Sequence, residues 1–365
     1  SRRGGASHKF SKDNRVSVEA YANYHRVFRE DHTLDVVAGY SFWQAGGEDF
    51  SMSNYDFPVD GVGPWDMGVG SYLTDGRASM DSNKDPRERL LSMFGRANYS
   101  YKDRYMATVS FRREGSSKFG VNNRWGNFWA VSGGWRLSNE AFMRDVGWIS
   151  DLKVRLGYGV TGNNGFGNGY TTRMYKANDM WPTNGVWQPG YGSIRNINPD
   201  LKWEESEQTD LGLDFGFFNN ALTFTVDYFI KKTNGMIIDM PIPSYVGEQR
   251  PLANVGDMEN SGLEFELGYK WRVKDANFAI RGNASYLHNE LKNLGNDTGF
   301  LNWGISQFSD GGTRAENGQP FPFFYGYKTL GVFQNMDQVN AYTWKDPATG
   351  TSQLIQPDAQ PGDLI

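Results

Sequence analysis

Residues Asp210-Leu-Gly-Leu-Asp-Phe-Gly-Phe-Phe-Asn-Asn-Ala-Leu-Thr-Phe-Thr-Val-Asp-Tyr228 decide the fold class. Side chains of an extended chain alternate between two faces. Leu211, Leu213, Phe215 and Phe217 therefore share one face, opposite Asp210, Gly212, Asp214 and Gly216. After Phe218-Asn-Asn220 the alternation resumes, with Leu222, Phe224, Val226, Tyr228 and Ile230 opposite Thr223, Thr225, Asp227 and Lys231. Two such runs around a short Asn-rich connection predict an antiparallel hairpin with one apolar and one polar face.

The pattern repeats outward from this hairpin. Leu34, Val36, Ala38, Tyr40 and Phe42 oppose Asp35, Val37, Gly39 and Ser41. Leu152, Val154, Leu156, Tyr158 and Val160 oppose Lys153, Arg155, Gly157 and Gly159. Leu263, Phe265, Leu267 and Tyr269 oppose Glu264, Glu266 and Gly268. The 3.6-residue period of an amphipathic helix hardly appears. About ten strands are predicted, near 14–28, 32–44, 90–101, 105–113, 127–137, 151–161, 204–217, 221–231, 259–271 and 276–287.

Connections between these strands tend to alternate in length. Shorter ones fall at 29–31, 102–104, 138–150, 218–220 and 272–275, and longer ones at 45–89, 114–126, 162–203, 232–258 and 288–323. The rhythm is weakest where 114–126 and 138–150 are equally long. Such alternation fits an all-β fold, a transmembrane antiparallel up-and-down β-barrel with short turns at one membrane face and long loops at the other. A soluble β-sandwich shares the strand pattern but uses Greek-key connections. Tyr99, Tyr101, Tyr105, Trp125, Trp129, Trp135, Trp148, Tyr269 and Trp271 lie near predicted strand ends, where girdles at two lipid interfaces would put them. A soluble sheet that favours aromatics would look similar.

Composition agrees. The 365 residues include 44 Gly, 12 Trp, 19 Tyr, 24 Phe and no Cys. Without Cys there is no disulfide framework, Cys-ligated zinc, iron–sulfur cluster or Cys nucleophile. A net charge of −5 and a pI near 5.5 argue against a nucleic-acid partner, which calls for a basic footprint. The mean hydropathy of −0.62, with no long apolar run, leaves no transmembrane helix. It does not exclude a membrane barrel, whose strands alternate. The first residues, SRRGGASHKFSKDNR, lack the apolar region of a signal peptide.

Motifs that resemble reactive sites weigh little. Gly157-Tyr-Gly-Val-Thr-Gly162 fits a dinucleotide fingerprint, but the Asn/Gly run that follows cannot open the helix the motif needs. Asp81-Ser-Asn-Lys-Asp85 begins like a calcium loop, yet Pro86 stands where Gly is required. Glu264 and Glu266 are spaced about 7 Å apart on one strand face, within glycosidase range. Carboxylates are equally ordinary in a polar lumen, as are Glu204, Glu205 and Glu207. The four His show no ligand spacing. No catalysis and no cofactor are expected. The loop 162–203 carries Trp181, Trp187, Tyr191 and Trp203 among Asn, Gly and Pro. Flat aromatic faces beside amides suit a sugar ring or a peptide side chain, and packing of the loop onto its neighbours would use the same residues.

Several segments together resemble the SusC/RagA class of TonB-dependent outer-membrane transporters. They are Phe94-Gly-Arg-Ala-Asn-Tyr-Ser-Tyr-Lys-Asp-Arg-Tyr105, Phe111-Arg-Arg-Glu-Gly-Ser-Ser-Lys-Phe119, Leu152-Lys-Val-Arg-Leu-Gly-Tyr-Gly-Val-Thr-Gly-Asn163, Asn198-Pro-Asp-Leu-Lys-Trp-Glu204 with Gln208-Thr-Asp-Leu-Gly212, Asn254-Val-Gly-Asp-Met-Glu-Asn-Ser-Gly-Leu-Glu264, Phe324-Tyr-Gly-Tyr-Lys328 with Gly331-Val-Phe333, and Pro361-Gly-Asp363. The resemblance implies a 22-stranded barrel around an N-terminal plug, in the outer membrane of a Gram-negative bacterium. It also implies TonB as energy source and a SusD-like surface lipoprotein as partner, importing oligosaccharides or peptides. No plug is recognisable in residues 1–365 and the family's final strands are missing, so a partial barrel is expected. The candidate ligand contacts are Trp181, Trp187 and Tyr191 by stacking, and Asn163 and Asn164 by hydrogen bonding. The competing expectation is a soluble β-rich glycan-binding or glycan-hydrolysing protein.

Overall fold

The computed structural model describes residues 4–59, 61, 65–85, 87–173, 175–193, 195–240, 242–296, 298–305 and 308–365. Ten strands dominate the main unit: β1 (Gly5–Phe28), β2 (His32–Tyr55), β4 (Glu88–Tyr101), β5 (Tyr105–Ser116), β6 (Trp125–Arg136), β7 (Ile149–Asn163), β10 (Glu204–Phe217), β11 (Leu222–Asp239), β12 (Leu252–Val273) and β13 (Ala276–Asn293). The short β3 (Ser79–Lys84) pairs with the far end of β2, and β8 (Tyr175–Thr183) and β9 (Val186–Ser193) form a separate hairpin. The ten strands pair antiparallel in chain order, each with the next, so the sheet is an up-and-down barrel wall.

Antiparallel order fixes the rims. The turns around Asp31, Asp103, Asn219 and Lys274 all lie at one rim, together with the connection 137–148. The loops 56–87, 117–124, 164–203 and 240–251 lie at the opposite rim. Length alone would have misled at one place, because 137–148 is longer than 117–124. Turn chemistry supports the short rim. Asn219 and Asn220 take φ of 58° and 59°, a left-handed conformation that Asn tolerates better than most residues.

Register makes the two faces continuous. Leu156, Leu211, Tyr228, Leu263 and Tyr286 are aligned across five strands. One residue along, Arg155, Gly212, Asp227, Glu264 and Ser285 form the matching row on the other face. The apolar row is not covered by protein: Leu156 is 58% exposed and Tyr286 67%. In water such a contiguous surface would be a liability; in lipid it is the face a barrel requires.

Aromatics bound this apolar face. At the short-turn rim Phe28, His32, Tyr101, Tyr105 and Trp135 follow one another at ring-centroid distances of 5.7, 4.7, 6.3 and 6.4 Å. Trp148 on Phe217 and Trp271 on Phe278 continue the belt at 5.7 and 5.3 Å. Toward the other rim Trp129 packs on Tyr158 at 5.1 Å, with Trp125 four residues farther along the same face of β6. Between the belts the apolar stripe runs from His32 to Phe42 on β2, Leu222 to Ile230 on β11 and Leu263 to Trp271 on β12. About nine to eleven residues are what a tilted strand needs to span lipid.

The strands do not stop where the stripe stops. β2 continues 13 residues past Phe42 to Tyr55, β11 nine past Ile230, and β12 begins eleven before Leu263. Sequence alternation predicted ends at 44, 231 and 259. Beyond the lipid neither face has to be apolar, so the period fades while backbone pairing persists.

The second compact unit comprises 300–316 and 321–365. It holds the hairpin β14 (Phe300–Ile305) and β15 (Phe308–Glu316) and a helix at Met336–Ala341. The Asn335 side chain caps that helix by accepting from the Gln338 amide, and Phe333 and Val339 are buried.

Candidate functional site

On the polar face, the lumen side of the barrel wall, Arg155 is the hub. Its Nε donates to Asp214 Oδ2 at 2.8 Å, and its Nη2 donates to Asp214 Oδ1 and Asp227 Oδ1, each at 2.9 Å. Thr225 adds a hydroxyl donor to Asp214 Oδ1 at 3.3 Å. The fork of a guanidinium matches a carboxylate in two places at once. Reaching Asp227, two strands away, requires the side chain to lie across Gly212. A Cβ there would stand 2.4 Å from Asp227 Oδ1 and 2.6 Å from Arg155 Cζ, so glycine is what leaves the path open. The expected grouping of Arg155, Asp214 and Glu266 on one interior face is observed. Asp227 as a second partner of Arg155 was the missed element; its signal was the shared parity of Asp214 and Asp227 about the Asn219 turn. A concavity of about 770 Å³ opens here, with Asp35, Asn98, Lys153 and Asp210 on its wall.

Gly157 to Gly162 lies inside β7. Asp81 and Asn83 lie on β3, paired with Ser51 and Asp49. Glu264 and Glu266 face the lumen opposite Ser285 and Asn283.

At the long-loop rim the stretch Asn198–Glu204 is a clasp. Asn198 donates to the Leu252 carbonyl at 3.0 Å, and its Oδ1 accepts from the Asp200 amide at 3.1 Å. Asn254 accepts from the Lys202 amide and donates to the Lys202 and Gly235 carbonyls. Asn123 donates to the Asp200 carbonyl at 2.8 Å. Leu201 and Trp203 are buried with Phe119, Phe128 and Leu252, and Trp203 Nε1 donates to the Arg124 carbonyl at 3.1 Å. Gly120 admits the clasp: a Cβ there would fall 1.9 Å from the Pro199 carbonyl oxygen. Trp203 is thus a packing residue, unlike the other aromatics of its loop.

Those others lie on the β8–β9 hairpin, closed by Asn184-Gly185 with φ of 51° and 76°. Trp181, Trp187 and Tyr191 are 71%, 64% and 77% exposed. Pairing of Pro182 with Trp187 and of Trp181 with Gln188 sorts them. Trp187 and Tyr191 share one face of β9, and Trp181 points to the opposite face. Arg195 ties the base of the hairpin down, 3.7 Å over the Tyr170 ring and bonded to Gln249 Oε1 at 2.7 Å. Asn163 and Asn164 are elsewhere, at the end of β7. Asn163 donates to Glu204 Oε1 at 3.1 Å and accepts from the Gly165 amide. Asn164 donates to Ser116 Oγ at 3.2 Å. Each amide already serves a protein partner, so the two Asn and the three aromatics form separate groups.

At the short-turn rim the connection 137–148 carries Glu140. It accepts from Tyr105 Oη at 2.7 Å and Trp135 Nε1 at 3.1 Å, and meets Arg104 at 3.4 Å. These donors, Tyr105 foremost, hold its carboxyl below the ordinary glutamate value.

An antiparallel meander with a lipid-ready face, a charged lumen face and unequal rims defines an outer-membrane-type barrel. Residues 2–357 match the family described as TonB dependent receptor-like, beta-barrel, and the chain belongs to it. It is 33% identical over 326 residues to TonB-dependent receptor P39 of Formosa agariphila, covering 89% of this chain and 30% of that protein. It is 36% identical over 213 residues to TonB-dependent receptor SusC of Bacteroides thetaiotaomicron, covering 57% of this chain and 21% of that one. A solved structure of the RagAB peptide transporter matches 96% of this chain and 37% of its own, at 26% identity and a TM-score of 0.79. The chain thus spans about a third or less of the length of the curated relatives it matches. The family is one of receptors and transporters rather than enzymes.

Proposed function

We propose that this chain is barrel wall of a TonB-driven importer that brings large nutrients across the outer membrane of a Gram-negative bacterium. It works with a SusD-like surface lipoprotein, and its plug lies outside residues 1–365. The observation that carries this reading is the two-faced sheet: apolar rows bounded by aromatic belts on one side, and the Arg155–Asp214–Asp227 network on the other. A soluble glycan-binding or glycan-cleaving sheet would not keep Leu156 and Tyr286 exposed in a continuous apolar row.

The ligand is an oligosaccharide, stacked by Trp187 and Tyr191 on one face of the hairpin, with Trp181 offering a second platform on the other; Asn163 and Asn164, bonded to Glu204 and Ser116, form a separate polar group at the end of β7 outside this stacking site. Peptide is the second reading, favoured by the likeness to the RagAB peptide transporter. The test is a titration of the full-length transporter and its lipoprotein with defined oligosaccharides and peptides, wild type against Trp181→Ala, Trp187→Ala and Tyr191→Ala. Loss of a binding hot spot costs about 2 kcal/mol or more, roughly a thirtyfold loss of affinity. Wild-type binding by all three variants would move the site off this hairpin.

A further inference from the structure

Outward-facing charges at and beyond the edge of the apolar stripe differ between the two ends of the sheet. Across β10–β13, Glu207, Lys232, Glu259 and Glu290 align in one row. Lys292 closes on Glu290 at 2.8 Å and on Glu259 at 3.7 Å, so two lysines meet three glutamates. Across β1–β5 the same outward face carries Arg89 one step beyond the Phe42–Leu91 row and Arg113 one step inside it, with Lys12 and Lys84 on either side of Glu48 farther out. Four cations there meet one carboxylate.

The partners of the two arginines sharpen the contrast. Arg113 lies with its Cζ 5.3 Å from the Trp125 ring, and no carboxylate ion pair to it occurs among the described residues. Arg89 Nε bonds the neutral Gln44 at 3.0 Å. Trp125 and its row, Phe42, Leu91 and Gly115, are the last apolar step before the boundary. An arginine with its stem on apolar surface and its head at an interfacial Trp reaches out to headgroup level.

We propose that this arc binds the phosphate groups of an outer-leaflet lipid headgroup, with Arg113 and Arg89 as the phosphate contacts. A guanidinium recognises phosphate by paired hydrogen bonds, and a local excess of cations attracts anionic headgroups. The self-compensated β10–β13 arc has no such excess and serves as the internal control. The proposal rests on the reading that the long-loop rim faces outward.

The test uses the full-length protein in detergent, with its melting midpoint followed against three additives: diphosphorylated lipid A, the same lipid stripped of phosphate, and inorganic phosphate. The expected result is a rise in midpoint with the phosphorylated lipid alone. An Arg89→Gln/Arg113→Gln double variant loses most of that rise, and a Lys232→Gln/Lys292→Gln variant keeps it. Equal rises with both lipids, a rise with inorganic phosphate alone, or a full rise in the arginine variant would overturn the proposal. The orientation beneath it is read separately, by reagent access at the two rims.

Discussion

The two rims of the sheet end by different rules. At the short-turn rim, pairing stops where the aromatic belt stops: β4 ends at Tyr101 and β5 begins at Tyr105, both belt residues. At the long-loop rim pairing outlasts the apolar stripe by nine to thirteen residues on β2, β11 and β12, and the principal buried aromatic cluster lies there. The lipid-spanning middle needs no protein core, because the bilayer covers its apolar face. The projecting end has no lipid and must build its own cover, which is what Phe119, Phe128, Leu201 and Trp203 supply.

The largest effect is expected where the projecting end covers itself. Trp203→Ala empties a buried site and removes the bond to the Arg124 carbonyl; deletions of buried Trp cost about 3–5 kcal/mol. A denaturant refolding titration of the full-length protein should show that loss, with accelerated proteolysis confined to the long-loop segments. A change under about 1 kcal/mol would mean that the cluster is not a cooperative core.

Next comes the lipid face itself. Val226→Arg should cost about 2–4 kcal/mol near the bilayer midplane, whereas Thr225→Arg, facing the lumen beside Asp214, should cost much less. Equal costs in a reversible refolding titration into lipid vesicles would contradict the assigned faces.

The smallest effect belongs to the short rim. Glu140 has its carboxyl lowered below 4.5, chiefly by the Tyr105 hydroxyl and the Trp135 indole. A carboxylate with a lowered folded pKa stabilises fully above its ordinary pKa and loses that contribution as pH falls through the lowered value. Stability should therefore drop below about pH 4.5 in wild type, and this component should vanish in Glu140→Gln. An identical acid slope in both proteins would show that the Tyr105 and Trp135 contacts to Glu140 do not contribute to stability.

Sequence reading was most faithful where lipid imposes a period. The Tyr101, Tyr105, Phe217 and Ala276 boundaries fall where alternation puts them, because a one-residue slip would turn charged lumen side chains into the bilayer. It was least faithful past the stripe. Ser79–Lys84 pairs with β2, and Tyr175–Ser193 holds a hairpin, inside stretches that read as loop, since both faces there are polar or mixed. Trp203 could not be told from Trp187 by composition, as both sit among Asn, Gly and Pro. What separates them is the Asn198-Pro-Asp turn, which folds Leu201 and Trp203 inward. The Arg155–Asp227 contact needed two registers, Arg155 opposite Gly212 and Gly212 opposite Asp227, and the Asn219 turn fixes only the second.

The central claim is that the short turns face the periplasm and the projecting ends face outward, with lipid between. It is tested most directly in a cysteine-free background of the full-length protein, since this chain itself contains no Cys. Single cysteines are placed at Asp31 and Asp275 on one rim and at Thr183 and Tyr245 on the other, and intact cells are treated with a membrane-impermeant maleimide. The account predicts labelling of Thr183→Cys and Tyr245→Cys on intact cells, and labelling of Asp31→Cys and Asp275→Cys only after the outer membrane is opened. Labelling of all four on intact cells, or the reverse order of access, would contradict it.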